Sequence, residues 1–181
     1  MGRRPRRAAR PARGGTRVSA APRPTGSPWR GLAILLGSAA VVFGLDHLTK
    51  WLVVRDIAYG EQVPSSGPIT LHHIHNTGAA FGLFPGFQAA FLVVAVVVSA
   101  YILVVGHRAG NGALTQITLG AVLGGAAANA VDRFRQGYVV DFVDLHRWPV
   151  FNVADAAIVV GILVTAITLS RRPDHARETA R

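Results

Sequence analysis

The chain has 181 residues, half of them hydrophobic, no cysteine and a formal net charge of +10. Without Cys there is no disulfide, no thiolate nucleophile and no Cys-based metal site, which removes several enzyme classes at once. The apolar residues fall in blocks at 31–54, 87–106, 113–131 and 153–169, each near the roughly 20 residues that cross a bilayer core as a helix, so four membrane spans are expected rather than one globular core.

Residues 1–30 are rich in Arg, Pro, Gly, Ala and Ser and have too few large apolar residues to bury anything, so they are expected to form a disordered tail. Basic sequence before an apolar run is also the pattern of a secretory signal peptide, here with small residues at Ser38–Ala40. The run continues to Val54, however, and the later spans need an orienting first one. Nine of the 19 basic residues are Arg in the first 30 positions, Arg171, Arg172, Arg177 and Arg181 follow the last span, and Arg108 lies between the second and third. Four spans put these 14 on one side and Lys50, Arg55, Arg133, Arg135 and Arg147 on the other. The side rich in Arg is the cytoplasmic one, so both termini are expected inside. A basic tail with this orienting role needs no nucleic acid, and none is expected as a partner.

The first span closes on Asp46-His47-Leu48-Thr49-Lys50-Trp51. Asp46 and Lys50 are four apart and share a helical face, which lowers the cost of placing both at a membrane edge. Lys50 is the only Lys in the chain; an ammonium where Arg is otherwise always used points to a specified role, because the two differ in hydration and donor geometry. Residues 55–86 form the longest connection, with turn formers from Gly60 to Pro68 and a short strand expected over Ile69–His75. On that strand only His73 and His75 share a face, and two ligands do not make a metal site. Asn76 with Gly78 reads as a turn whose amide positions neighbouring groups, and Phe81 as a wedge at the membrane surface. The second span carries no visible chemistry. The third holds Gly120, Gly124, Gly125 and Ala126–Ala128, small residues that let backbones approach, and is expected to be central.

From Asn129 to Asp155 the polar residues gather at span ends: Asn129, Asp132, Asp141, Asn152 and Asp155. Under the four-span topology these, with Asp46, Lys50 and Asn76, all fall on the outer side. Two carboxylates that share a proton are an economical catalytic device, one acting as base toward water and the other as acid. Asp141 and Asp155 make the best pair, with Asn152 three residues from Asp155 and placed to hydrogen-bond it. Asp132, followed at once by Arg133, has a structural reading as an ion pair or cap, and Asp144 reads as an ordinary loop charge. Composition and topology favour an aspartyl hydrolase of membrane-embedded substrates and leave a transporter or ion pathway open, since both use intramembrane carboxylates.

Asp46-xxx-Lys50, Asn76-Thr77-Gly78-Ala79-Ala80-Phe81, Gly124 to Phe142 with Asn129, Asp132, Arg133 and Asp141, and Phe151-Asn152-Val153-Ala154-Asp155 resemble, in order, the signature blocks of lipoprotein signal peptidase, signal peptidase II. The resemblance implies an all-α membrane protein of four transmembrane helices with a small extracytoplasmic β-containing loop region. It implies a bacterial inner-membrane aspartyl endopeptidase that removes the signal peptide of a diacylglyceryl-modified prolipoprotein just before the lipid-bearing Cys. Asp141 and Asp155 fall on the catalytic pair, and Asn76, Asn129, Arg133 and Asn152 on substrate-binding or supporting positions. Asp46 with Lys50 matches a supporting pair, and Asp132 belongs to the same supporting set. Ala128 stands where many members have Gly, and the segment between Asp141 and Asn152 is short for the family. The expected organisation is a basic tail (1–30), a membrane peptidase domain (31–170) and a cytoplasmic tail (171–181), acting as a monomer among membrane lipids, without cofactor or metal, with its active site at the extracytoplasmic face.

Overall fold

The computed structural model describes residues 28–78, 88–106 and 112–170. The two tails, Phe81 and Arg108 lie outside the described residues. Four helices dominate: α1 (Pro28–Asp56), α2 (Gln88–Val105), α3 (Ala113–Gln136) and α4 (Val153–Ser170). The expected apolar blocks thus coincide with helices, whose ends lie within three residues of the block ends except at Gln136, where α3 runs five residues further. Within α1 and α3, the stretches Trp29–Asp56 and Ala113–Gln136 are long and apolar enough to cross a membrane, whereas Ala89–Val105 and Val153–Thr168 are apolar and shorter. Large apolar side chains such as Val93, Val97, Val104, Val159, Ile162 and Leu163 point outward. An apolar exterior of that extent suits lipid rather than water.

The third block is central, as its small residues predict, because α3 packs against each of the other three helices. Gly124 lies against the backbone of Ala39 on α1, and a Cβ at Gly125 would come within 2.6 Å of the Ala154 carbonyl on α4. Side chains there would force α3 away from the middle of α1 and from the start of α4, so glycine is needed for the close approach. Leu35, Ala39, Ile102, Val122 and Leu123 fill the seam between α1, α2 and α3. The end of α3 is set by Gly137 at φ 79°, a left-handed cap whose N–H bonds to the Arg133 carbonyl. That reversal sends the chain straight into a strand.

The sheet is larger than the sequence suggests. Strands β1 (Gln62–Val63), β2 (Thr70–Asn76) and β3 (Val139–Asp144) form an antiparallel sheet in the order β1-β2-β3. The strand expected at Ile69–His75 is β2, displaced by one residue. β3 was not expected, and the reason is burial on both faces: Val139, Val140, Asp141 and Phe142 are all buried, so no alternation marks the strand. Register places Ile74 opposite Asp141 and Asn76 opposite Val139, with an irregularity between Leu71 and Ile74. Val140 and Phe142 pack on Val53 and Ile57 near the end of α1. The sheet therefore sits at the end of the bundle where α1 and α3 finish and α4 starts.

Candidate active site

Every candidate residue from the sequence lies at this end of the bundle, and the local chain path explains each position. Asn152 precedes the first turn of α4 and caps it: its Oδ1 accepts the Asp155 N–H at 2.9 Å, while Asp155 Oδ2 accepts the Asn152 N–H at 3.4 Å. This reciprocal box satisfies helix donors that would otherwise be orphaned, and Asp46 Oδ1 accepts a further one from Ala154 at 2.8 Å. The hydrogen bonding expected between Asn152 and Asp155 is thus present, side chain to backbone in each direction, and the Asn152 Nδ2 does not turn to the Asp155 carboxylate. Instead Nδ2 donates to Asp141 Oδ1 at 2.7 Å and to Asn129 Oδ1 at 3.2 Å. The cap geometry forces this, since its Oδ1 is already turned to the helix backbone.

The two carboxylates are thus held by an amide lattice. Asp141 also accepts from Asn76 Nδ2 at 2.8 Å, and Asp155 Oδ1 from Asn129 Nδ2 at 2.8 Å. Asn76 Oδ1 in turn accepts the Gly78 N–H at 2.9 Å, the side-chain turn expected of Asn followed by Gly at this spacing. The orientation of Asn129 follows from its partners, because Lys50 Nζ, which can only donate, lies 3.0 Å from its Oδ1. Lys50 Nζ is further 2.6 Å from both Asp46 Oδ2 and Asp132 Oδ2. Asp132 therefore pairs with Lys50 on α1 rather than with its neighbour Arg133. The Arg133 guanidinium donates to the carbonyls of Gly78 and Asn129 at 3.2 and 3.4 Å and lies over the Phe91 ring. It ties the end of β2 to α3.

Burial shapes the chemistry. Asp141 is 1% exposed, and desolvation, followed by the nearby negative charge of Asp155, pushes its pKa up to about 7 against the opposing pull of Asn76, Asn152 and Lys50. Asp141, Asp155 and Asn76 face a common cavity of about 330 Å³ whose remaining wall is apolar, with Trp148, Val150, Phe151 and Val159 among its residues. A site of this kind can hold an extended, apolar-flanked peptide against two carboxylates that interact by charge.

The histidines make an aromatic stack. His75 lies on Tyr138 with centroids 3.8 Å apart and beside Tyr59 at 4.4 Å, and His73 Nδ1 bonds the Ile57 carbonyl at 2.9 Å. Burial and the neighbouring His73 lower the His75 pKa. Among the described residues no group of three His, Cys, Asp or Glu is placed to hold a metal ion. Asp144, read from sequence as a plain loop charge, is only 9% exposed, and its Oδ1 accepts the His146 N–H at 2.7 Å. The Asp-x-His spacing, a common side-chain turn, was the available signal for it.

Residues 38–171 match the family model for signal peptidase II. The lipoprotein signal peptidase of Halothermothrix orenii is 36% identical over 130 residues, covering 71% of this chain and 90% of that protein. That of Moorella thermoacetica is 41% identical over 128 residues, covering 70% and 85%. A solved structure of a bacterial membrane enzyme superposes with a TM-score of 0.72 over 83% of this chain and 93% of its own, at 23% identity. A second gives 0.68 over 80% and 95%. At that identity the two structures speak for the fold.

Proposed function

The chain belongs to the signal peptidase II family, proteases that remove signal peptides from prolipoproteins, and on that premise we propose that it is an aspartyl endopeptidase in which Asp141 and Asp155 carry the chemistry. The observation behind this reading is their shared cavity, with an amide on each carboxylate and apolar walls around them. The pair shares one proton. With its pKa near 7, Asp141 holds that proton for a large part of the time at neutrality and is suited to act as acid. Asp155 takes a proton from the attacking water as the water oxygen bonds to the scissile carbonyl carbon. Asp141 protonates the carbonyl oxygen, and on collapse of the tetrahedral intermediate Asp155 passes the proton it took from water to the leaving nitrogen while Asp141 takes a proton back from a gem-diol hydroxyl, so that the C–N bond breaks and both carboxyls return to their starting states. Asn129 and Asn152 hold the two carboxylates in place, Lys50 with Asp46 and Asp132 braces Asn129 from behind, and Arg133 and Asn76 position the outer strand for substrate.

The substrate is a diacylglyceryl-modified prolipoprotein, cut just before the lipid-bearing Cys by a monomer embedded in bacterial inner-membrane lipid. All four helices cross the bilayer; the 18 residues of α2 and α4 span about 27 Å, close to the hydrocarbon thickness. The 14 basic residues assigned to the opposite end support cytoplasmic termini and an extracytoplasmic site. Purified protein in detergent, incubated with a lipid-modified prolipoprotein, should convert it to a faster-migrating species on a gel and release the signal peptide. An unchanged band after prolonged incubation with folded protein would overturn the assignment.

A further inference from the structure

Phe151 is hydrogen-bonded to Val143 in both directions, at 2.8 and 3.1 Å, so residues 144–150 form a lip closed at its base. Leu145, Trp148, Pro149 and Val150 from this lip line the cavity that holds Asp141 and Asp155. Its first turn is strained. His146 has φ 57°, the one positive value for a residue other than Gly among those described. The Arg147 N–H bonds back across it to the Leu145 carbonyl at 2.7 Å. A γ-turn of this hand is rare and persists only where surrounding contacts impose it.

Those contacts are visible. The buried Asp144 carboxylate accepts the His146 N–H, and the His146 Nε2 reaches the Gly67 carbonyl in the β1–β2 connection at 2.7 Å. The Nδ1 atoms of His72 and His146 lie 3.6 and 3.5 Å from the two Asp144 oxygens. Asp144 itself is anchored in the sheet opposite Thr70. One carboxylate thus fixes the turn, and one imidazole carries that fixation across to a second loop.

We propose that Asp144 and His146 form a latch that clamps the lip against the β1–β2 loop and so holds its apolar side chains in place to seat the substrate over the candidate carboxylates. Both are positioning residues: neither lines the cavity, and their effect passes through Leu145, Trp148 and Val150. The substrate part of this inference rests on the peptidase reading above. A loosened lip weakens binding of the bound substrate and the transition state alike, so the loss belongs in KM and not in kcat.

The test is steady-state cleavage of a lipid-modified prolipoprotein in detergent by wild type, Asp144→Ala, Asp144→Asn and His146→Gly. Asp144→Ala should raise KM about tenfold with kcat within about twofold. Asp144→Asn should recover most of that loss, because its Oδ1 still accepts the His146 N–H. His146→Gly tolerates the positive φ but lacks the imidazole, and should raise KM several-fold. A wild-type KM in folded Asp144→Ala and His146→Gly, or a loss confined to kcat, would overturn the latch. If Asp144→Ala does not fold, His146→Gly decides. A wild type that cleaves nothing would instead refute the peptidase reading. The latch is then judged by acrylamide quenching of Trp148 in a Trp29→Phe, Trp51→Phe background, where His146→Gly should increase quenching and unchanged quenching would reject it.

Discussion

Replacing Lys50 by Met keeps the length of the side chain and removes the charge, and the structure indicates a severe result. Lys50 is 5% exposed, and its ammonium lies 2.6 Å from each of two carboxylates, of which Asp46 is fully buried. Breaking a buried pair by deleting one partner costs roughly 3–5 kcal/mol, because the remaining charge stays buried and uncompensated. Here two are left. For a chain of this size that corresponds to a fall in Tm on the order of 10 °C. The damage also reaches the candidate site, since Lys50 holds Asn129 Oδ1 and thereby points Asn129 Nδ2 at Asp155. Activity should therefore drop even at temperatures where the variant is folded. Lys50→Arg retains charge, but a planar guanidinium does not fit the compact three-oxygen cage and should give an intermediate loss. Thermal unfolding in detergent at pH 7 measures the first effect and prolipoprotein cleavage the second. Adding Asp132→Asn to Lys50→Met removes one orphaned charge and should restore part of the lost stability. A Lys50→Met protein within about 2 °C of wild type would refute the reasoning about uncompensated burial.

Two further outcomes follow from the same structure. Because the folded pKa of Asp141 is raised from the ordinary 3.8 to about 7, the folded state holds a proton that the unfolded chain has lost. Its contribution to stability is complete below about pH 4 and disappears as pH rises through about 7, an effect of up to roughly 4 kcal/mol. Wild type should lose stability relative to Asp141→Asn between pH 5 and pH 8 in parallel melting curves, and curves of the same pH dependence would contradict the shift. A reporter active only in the cytoplasm should be active when fused after Arg181 or at Gly110 and silent at Ser66, given the uneven basic residues; the reverse pattern would invert the topology and move the site to the other face.

The helices were legible because apolar blocks of near-spanning length are a coarse signal that tertiary detail hardly alters. Much of the candidate site was legible for a related reason: in so apolar a chain each Asn, Asp or Lys at a span end is conspicuous, and Lys50, Asn129 and Asp132 do meet. What failed to show was partner choice. Asn152 does hydrogen-bond Asp155, three residues on, as expected, but as a helix cap between side chain and backbone, and the second partner that this leaves for Nδ2, Asp141, was not visible. Sequence adjacency suggested Arg133 for Asp132, whereas the approach of α1 to α3 across Gly124 brings Lys50. β3 escaped notice because it is buried on both faces, and the burial of Asp144 because its only local mark, the Asp-x-His turn spacing, is the same for a carboxylate in water.

The most direct test of the paired carboxylates is single-turnover cleavage of a lipid-modified prolipoprotein by wild type, Asp141→Asn, Asp155→Asn and the double variant, each first shown to be folded and to capture uncleaved substrate. An amide can neither take a proton from water nor share one with its partner, so each single change should reduce the rate on the order of 10⁴-fold, and the double change should be little worse than either, as for groups that act as a unit. A folded, substrate-binding Asp141→Asn or Asp155→Asn protein with wild-type turnover would contradict the dyad and remove that residue from the chemistry.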